Sequence, residues 1–250
     1  MNKHTRARAP LARATIALLP LLVLLTGATA AGAAGPGPIR PGEKLTYSIE
    51  YGIIKAGTAE LTTERDADDS TLVFSTQART NSFFDVFFKV RDRVVSRVDP
   101  KGFVSLRFEK SLREGKYEDD EMVIFDRERM VAVYDDGKET PLAPDARDVL
   151  AAFFDLRTRR LVIGAEIPLV YHSSKKNWPI TVKVHNVETV KTPAGEFRCI
   201  RIEPRLKSVG VFKQTGRLQI WITADSRRMP VKLESKVVFG AFEAVLTDYR

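Results

Sequence analysis

The chain has 250 residues, 44% of them hydrophobic, and a net charge of +8. Its one cysteine, Cys199, excludes an internal disulfide, so stability must come from a packed core, which a chain of this length can build. Lys3, Arg6, Arg8 and Arg13 supply four positive charges within residues 1–30, which contain no acid; removing them lowers +8 to +4. So mild an excess argues against nucleic acid, which calls for a concentrated basic face, yet it permits weak attraction to anionic headgroups.

Those first residues have the layout of an export signal. After the basic start, Ala14 to Leu25 is apolar except for Thr15 and Pro20, and Ala28-Thr29-Ala30 offers small residues for signal peptidase. The apolar run is about a dozen residues, short of the about 20 that span a bilayer. We therefore expect residues 1–30 to be a signal peptide cleaved after Ala30, residues 31–41 a flexible lead-in, and residues 42–250 a single periplasmic domain without a membrane span. No cysteine stands at the cleavage site for lipid attachment, and Arg6 and Arg8 are not adjacent, so neither the lipoprotein route nor a twin-arginine signal is indicated.

From Leu45 to Tyr51 the sequence alternates Leu, Tyr, Ile, Tyr, which predicts a strand, and Thr58 to Thr62 and Leu72 to Ala78 predict two more. Arg93 to Asp99 and Phe103 to Glu109 flank Pro100-Lys101-Gly102 and read as a hairpin. Glu121 to Phe125 and Met130 to Tyr134 form another. A helix is predicted over 145–160, with Asp145 as its cap and Val149, Leu150, Phe153, Phe154 and Leu156 at helical spacing. Strands return at 166–171, 180–190, 195–204, 216–223, 231–239 and 241–249. Many short strands around one mid-chain helix predict a mainly β fold, an antiparallel curved sheet or incomplete barrel, with the helix on its concave side.

Chemistry-bearing patterns are scarce. His172 and His185 have no companion ligands, and zinc needs three or four. Glu118-Asp119-Asp120-Glu121 lacks the spacing of a calcium loop and reads as a solvated turn. No G-x-S-x-G, Walker or G-x-G-x-x-G pattern sits in a strand–helix context. The expectation is a protein with no catalytic residues, no metal and no cofactor. Cys199 reads as a small buried core residue, and Trp221 as structural, with Pro230 restarting an edge strand.

Two segments stand out. Phe83, Phe84, Phe87 and Phe88 fall at i, i+1, i+4 and i+5, one face of a short helix near 82–89 capped by Asn81 or Ser82. They would either plug the end of the sheet as core or line an apolar cavity. Ser173 to Pro179 is a polar loop carrying Lys175, Lys176 and Trp178, which could meet a phosphate or carboxylate headgroup or simply lie solvated with the indole on the sheet.

Gly42 to Tyr47, Asp148 to Arg157, Glu188 to Phe197, and Trp221 to Asp225 with Pro230 to Leu233 together resemble the DUF3108 family of periplasmic proteins. That resemblance implies a mostly β exported protein and transfers no catalytic residue. The strand-Trp-turn-Pro-strand arrangement beside a helix is also similar, at fold level, to the open barrels of lipoprotein carriers. The leading expectation is a non-enzymatic binder of a lipid, acyl chain or lipidated partner. The others are a structural module holding another envelope protein and an enzyme acting on a polymer or lipid.

Overall fold

The computed structural model describes residues 37–67, 70–206, 217–237 and 240–250; the expected signal peptide and most of the lead-in lie outside them. Eight strands form a first meander: β1 (Lys44–Tyr51), β2 (Ile54–Arg65), β3 (Leu72–Thr80), β4 (Arg91–Asp99), β5 (Val104–Glu114), β6 (Tyr117–Asp126), β7 (Val131–Tyr134) and β8 (Glu139–Pro141). A short helix, α1 (Ser82–Asp85), joins β3 to β4. Helix α2 (Val149–Thr158) follows β8. The second meander is β9 (Glu166–Ser173), β10 (Lys176–Thr192), β11 (Gly195–Leu206), β12 (Arg217–Thr223), β13 (Pro230–Val237) and β14 (Gly240–Tyr249).

All fourteen strands belong to one antiparallel sheet, because β14 pairs with β1 and joins the meanders into the order β8 to β1, then β14 to β9. The sheet is an incomplete barrel whose free edges are β8 and β9. Side chains stitch that seam. The Asn177 amide accepts from Ala143 N at 3.2 Å and donates to Pro141 O at 2.8 Å, while His172 Nε2 meets Thr140 Oγ1 at 3.2 Å. Asn177 Oδ1 can only accept, so the His172 Nδ1 2.9 Å away carries the ring proton. Burial depresses the pKa of this imidazole and keeps it neutral.

Strand alternation builds the interior. Leu45, Tyr47 and Ile49 of β1 face inward, as do Leu72, Phe74 and Ala78 of β3 and Ile180, Val182 and Val184 of β10, and all are buried. Every residue of α2 from Val149 to Arg157 is buried, so the helix is enclosed on all sides. It crosses the end of the barrel where the β4–β5 and β12–β13 turns lie, and it is fastened at both tips. At its start the Asp148 carboxylate accepts from Leu150 N (2.9 Å), Ala151 N (3.0 Å) and Ser96 Oγ (2.6 Å), while Asp148 N donates to Ser105 Oγ (2.7 Å). At its finish Arg157 donates to both Glu43 carboxylate oxygens (2.6 and 2.8 Å) and to the carbonyls of Pro38, Arg227 and Arg228.

The structure departs from the sequence reading at several points, each with a local cause. The cap of α2 is Asp148, three residues after the expected Asp145, because Ser96 and Ser105 are placed to hold its carboxylate and amide. Glu118 to Glu121 is not a turn but part of β6. Asp119 and Glu121 share a strand face with Val123 and reach Lys110 (2.8 and 3.5 Å), while Glu118 and Asp120 point the other way to Arg113. Pro230 opens β13, an internal strand between β12 and β14, where the first position of a strand tolerates a residue without an N–H. Trp221 is buried on β12, its indole donating to Glu188, and Cys199 is buried with its thiol pKa pushed up to about 12 by that burial.

Candidate functional site

The end of the barrel opposite α2 carries the β1–β2 tip, α1 and the β5–β6 turn. Polar residues shape α1. The Asn81 side chain accepts from Phe84 N (3.0 Å) and donates to Lys55 O (2.7 Å), and Asn81 N donates to Ala56 O (2.9 Å). Thr80 Oγ1 donates to Asp85 and accepts from Val90 N, and Arg91 grips Asp85 through two bonds of 3.0 and 2.6 Å. These Arg91 and Thr80 hydrogen bonds hold the Asp85 carboxyl down to about 2. The connection is thereby tied to β2, β3 and β4.

The four phenylalanines consequently divide. The helix is only four residues long, against the eight expected, and the backbone turns after Asp85. Phe84 and Phe88 are half-buried, the latter with its ring against Gly115, where an added Cβ would lie 2.9 Å from it. Phe83 is 64% exposed and Phe87 73%, their rings edge to face with centroids 5.5 Å apart, and Val86 beside them is 80% exposed. The buried core takes in Phe153 and Phe154 of α2 and none of these four phenylalanines. Next to them the β1–β2 tip presents Ile53, fully exposed, and Ile54, half exposed. The rim is therefore a patch of five large apolar side chains. The sequence signal for this tip is Ile53, a β-branched apolar residue in the Gly52-Ile53 turn, where polar residues are usual, followed by Ile54 at the start of β2.

Lys175, Lys176 and Trp178 do not lie on an open loop. Ser174 and Lys175 both have positive φ (49° and 64°), the signature of a two-residue hairpin turn, and Lys176 to Pro179 already belong to β10. Lys175 pairs with Asp136 and lies over the Tyr134 ring at 5.1 Å, and its N–H donates to the Tyr134 hydroxyl. Trp178 stacks on Tyr171 and donates to Ser173 O at 3.0 Å. Lys176 alone of the three is exposed. This hairpin ties β9–β10 to the β7–β8 turn across the seam, and its contacts are separate from those of the phenylalanines.

Among the described residues no group of three or more His, Cys, Asp and Glu is disposed to hold a metal ion. A surface hollow of about 190 Å³ along β4–β6 is lined by residues that include Arg93, Arg107, Glu109 and Asp120; Arg107 is paired with Glu109, and Asp120 with Arg113. Among the described residues of the C-terminal half, a charge cluster surrounds Glu203, which is buried and bonded by Arg205, Arg217 (2.8 Å) and His185 (2.7 Å). Burial pushes the Glu203 pKa up, but the bonds from the two arginines and the histidine outweigh it and hold it at about 2. Its ordinary value is 4.5, so the cluster stabilises the fold fully above about pH 4.5 and loses its effect as pH falls towards 2. Glu203→Gln is expected to lower stability at pH 7 by about 1–2 kcal/mol, and the gap from the parent to close progressively on acidification. Chemical denaturation across that pH range measures it, and a gap independent of pH would contradict the assignment.

Fold and rim together define a class: an open antiparallel β-barrel, plugged at one end by a buried helix and apolar at the other. The chain belongs to the DUF3108 family, whose model, described as a protein of unknown function, matches residues 46–247. No curated protein matches the sequence. Among solved structures, a β-barrel-like protein of the DUF1849 family from Brucella abortus superposes with a TM-score of 0.56 at 11% identity, covering 83% of this chain and 96% of that one. An exported-type protein with a YmcC-like fold from Bacteroides fragilis (14% identity) and a lipoprotein-type protein from Parabacteroides distasonis (13%) each give a TM-score of 0.34, covering 86% of this chain and 98% of theirs. The first likeness is one of fold.

Proposed function

We propose that the chain is an exported, non-enzymatic protein of the cell envelope that binds a lipid, acyl chain or lipidated partner through the rim around α1. The export half rests on the basic start, apolar run and Ala28-Thr29-Ala30 of the N-terminus. The observation carrying the binding half is the exposure of Phe83, Val86 and Phe87 in a protein whose interior is occupied by α2. A deep carrier would leave that interior for an acyl chain; here the rim is assigned to the apolar ligand. The non-enzymatic half is supported by the polar groups, which pair with one another along strands instead of converging in a cleft.

The test is purification of the secreted protein without detergent, followed by solvent extraction and mass spectrometry. One lipid class in stoichiometric amount is expected, lost in Phe83→Asp/Phe87→Asp at unchanged melting temperature. Lipid-free protein whose melting temperature ignores added envelope lipids would overturn the reading. A second reading, favoured by the filled core, gives the same rim to another envelope protein. A cross-link from position 87 to one defined protein in a lipid-free preparation would select it.

A further inference from the structure

We infer that the rim is a docking surface for an anionic lipid bilayer, seating the β1–β2 tip and α1 at the boundary between headgroups and acyl chains. This deepens the lipid-binding reading above and rests on it. Two adjoining features carry the apolar contact, and they are mechanically one: the Asn81 side chain and amide fasten α1 to the backbone of Lys55 and Ala56. Ile53, Val86 and Phe87 project outward from turns, so the surface is convex. A protein partner would need a cavity shaped to receive those tips, whereas a bilayer deforms around them without one.

The charge around the tips selects the headgroup. Lys55 follows Ile54, Lys89 follows Phe88, and Lys116 follows the glycine against which the Phe88 ring lies. All three are exposed, and among the described residues none forms an ion pair. Of the acids nearby, Asp85 is held by Arg91, Glu118 and Asp120 by Arg113, and Glu50 stands across the β1–β2 pair from Lys55, one carboxylate against three lysines. The charge left over at the rim is therefore positive and stands beside the apolar tips. Aromatic and aliphatic tips within a collar of lysines match an anionic interface, with the alkyl stems lying along the apolar layer and the ammonium groups at the phosphates.

The experiment is flotation of the secreted protein with vesicles of phosphatidylethanolamine and phosphatidylglycerol, against vesicles of phosphatidylcholine alone. Binding to the anionic vesicles, weakened by salt, is expected. Each lysine near such a surface is worth about fivefold in partitioning, so Lys55→Glu/Lys89→Glu/Lys116→Glu should bind about a hundredfold or more weakly. Phe83→Asp/Phe87→Asp should not float at all. Melting temperatures equal to the parent's confirm that both variants are folded. Absence of binding at low salt, or a phenylalanine variant that floats like the parent, would overturn the proposal. Co-purified lipid without vesicle binding would leave the lipid-binding reading standing and remove the bilayer; vesicle binding by a protein that carries no lipid would do the reverse. A defined protein cross-linked through position 87, with no flotation, would assign the rim to that protein instead.

Discussion

Replacing Arg157 with methionine is expected to lower the unfolding free energy by about 3–5 kcal/mol, the cost typical of removing one partner from a buried ion pair. The guanidinium has no solvent exposure and makes five hydrogen bonds: two to Glu43, and one each to the carbonyls of Pro38, Arg227 and Arg228. Methionine would fill much of the volume but strand the Glu43 carboxylate, itself almost buried, without a counter-ion. The bond also joins parts of the chain far apart in sequence, since it ties the end of α2 to the start of β1 and to the β12–β13 turn. Equilibrium urea unfolding reads the loss directly. The double variant Glu43→Leu/Arg157→Met should recover a large part of it, because no charge is then left buried. A single variant within about 0.5 kcal/mol of the parent would show that the pair does not lock the plug.

Phe154→Ala should cost about 3–5 kcal/mol, the range for emptying a large buried aromatic site. The ring has no exposed surface and lies parallel to Phe74 with centroids 3.8 Å apart, while Arg157 covers its vicinity at 5.1 Å. Truncation would open a cavity between helix and sheet wall that neither can close, because α2 is pinned through Asp148 and Arg157 at its tips. Phe83→Ala is the control: its ring is mostly in solvent, and the change should fall within about 0.5 kcal/mol of the parent. Two phenylalanines of one chain thus separate stability from surface function, and comparable losses in both variants would contradict the placement of Phe83 on the rim.

The two ends of the barrel accordingly divide the work. At one end α2, Asp148, Arg157 and Glu43 close the interior and hold the meanders together; at the other, Asn81, Thr80, Asp85 and Arg91 spend their hydrogen bonds on presenting apolar side chains to the outside. An exposed phenylalanine pair on so well anchored a turn is maintained against the tendency to bury it, which is why the lipid reading attaches to this end.

Much of the fold was legible in the residues. Alternation from Leu45 to Tyr51, the turn at Pro100-Lys101-Gly102, and helical spacing from Val149 to Leu156 are local patterns, and each became the predicted element. Period and turn chemistry are decided within a few residues of chain, so they can be read without knowing the neighbours. The Phe83 to Phe88 run was equally visible as an apolar load, but the helix its spacing predicts over 82–89 forms only over Ser82–Asp85. The burial of its rings was not legible. Whether a phenylalanine faces core or solvent depends on how the backbone that carries it is anchored, and here the bonds of Asn81, Thr80 and Arg91, residues of β2 to β4 and their connections, set α1 at the rim with Phe83 and Phe87 outward. The same reason hid the Asp148 cap, the Arg157–Glu43 lock and the engagement of Lys175 with Asp136. All are contacts between residues distant in sequence, whose pairing is set by the register of a fourteen-stranded sheet. Local composition determined the elements and the export signal expected before them; only the closing of β14 onto β1, with α2 enclosed, decided which side chains became core and which became rim.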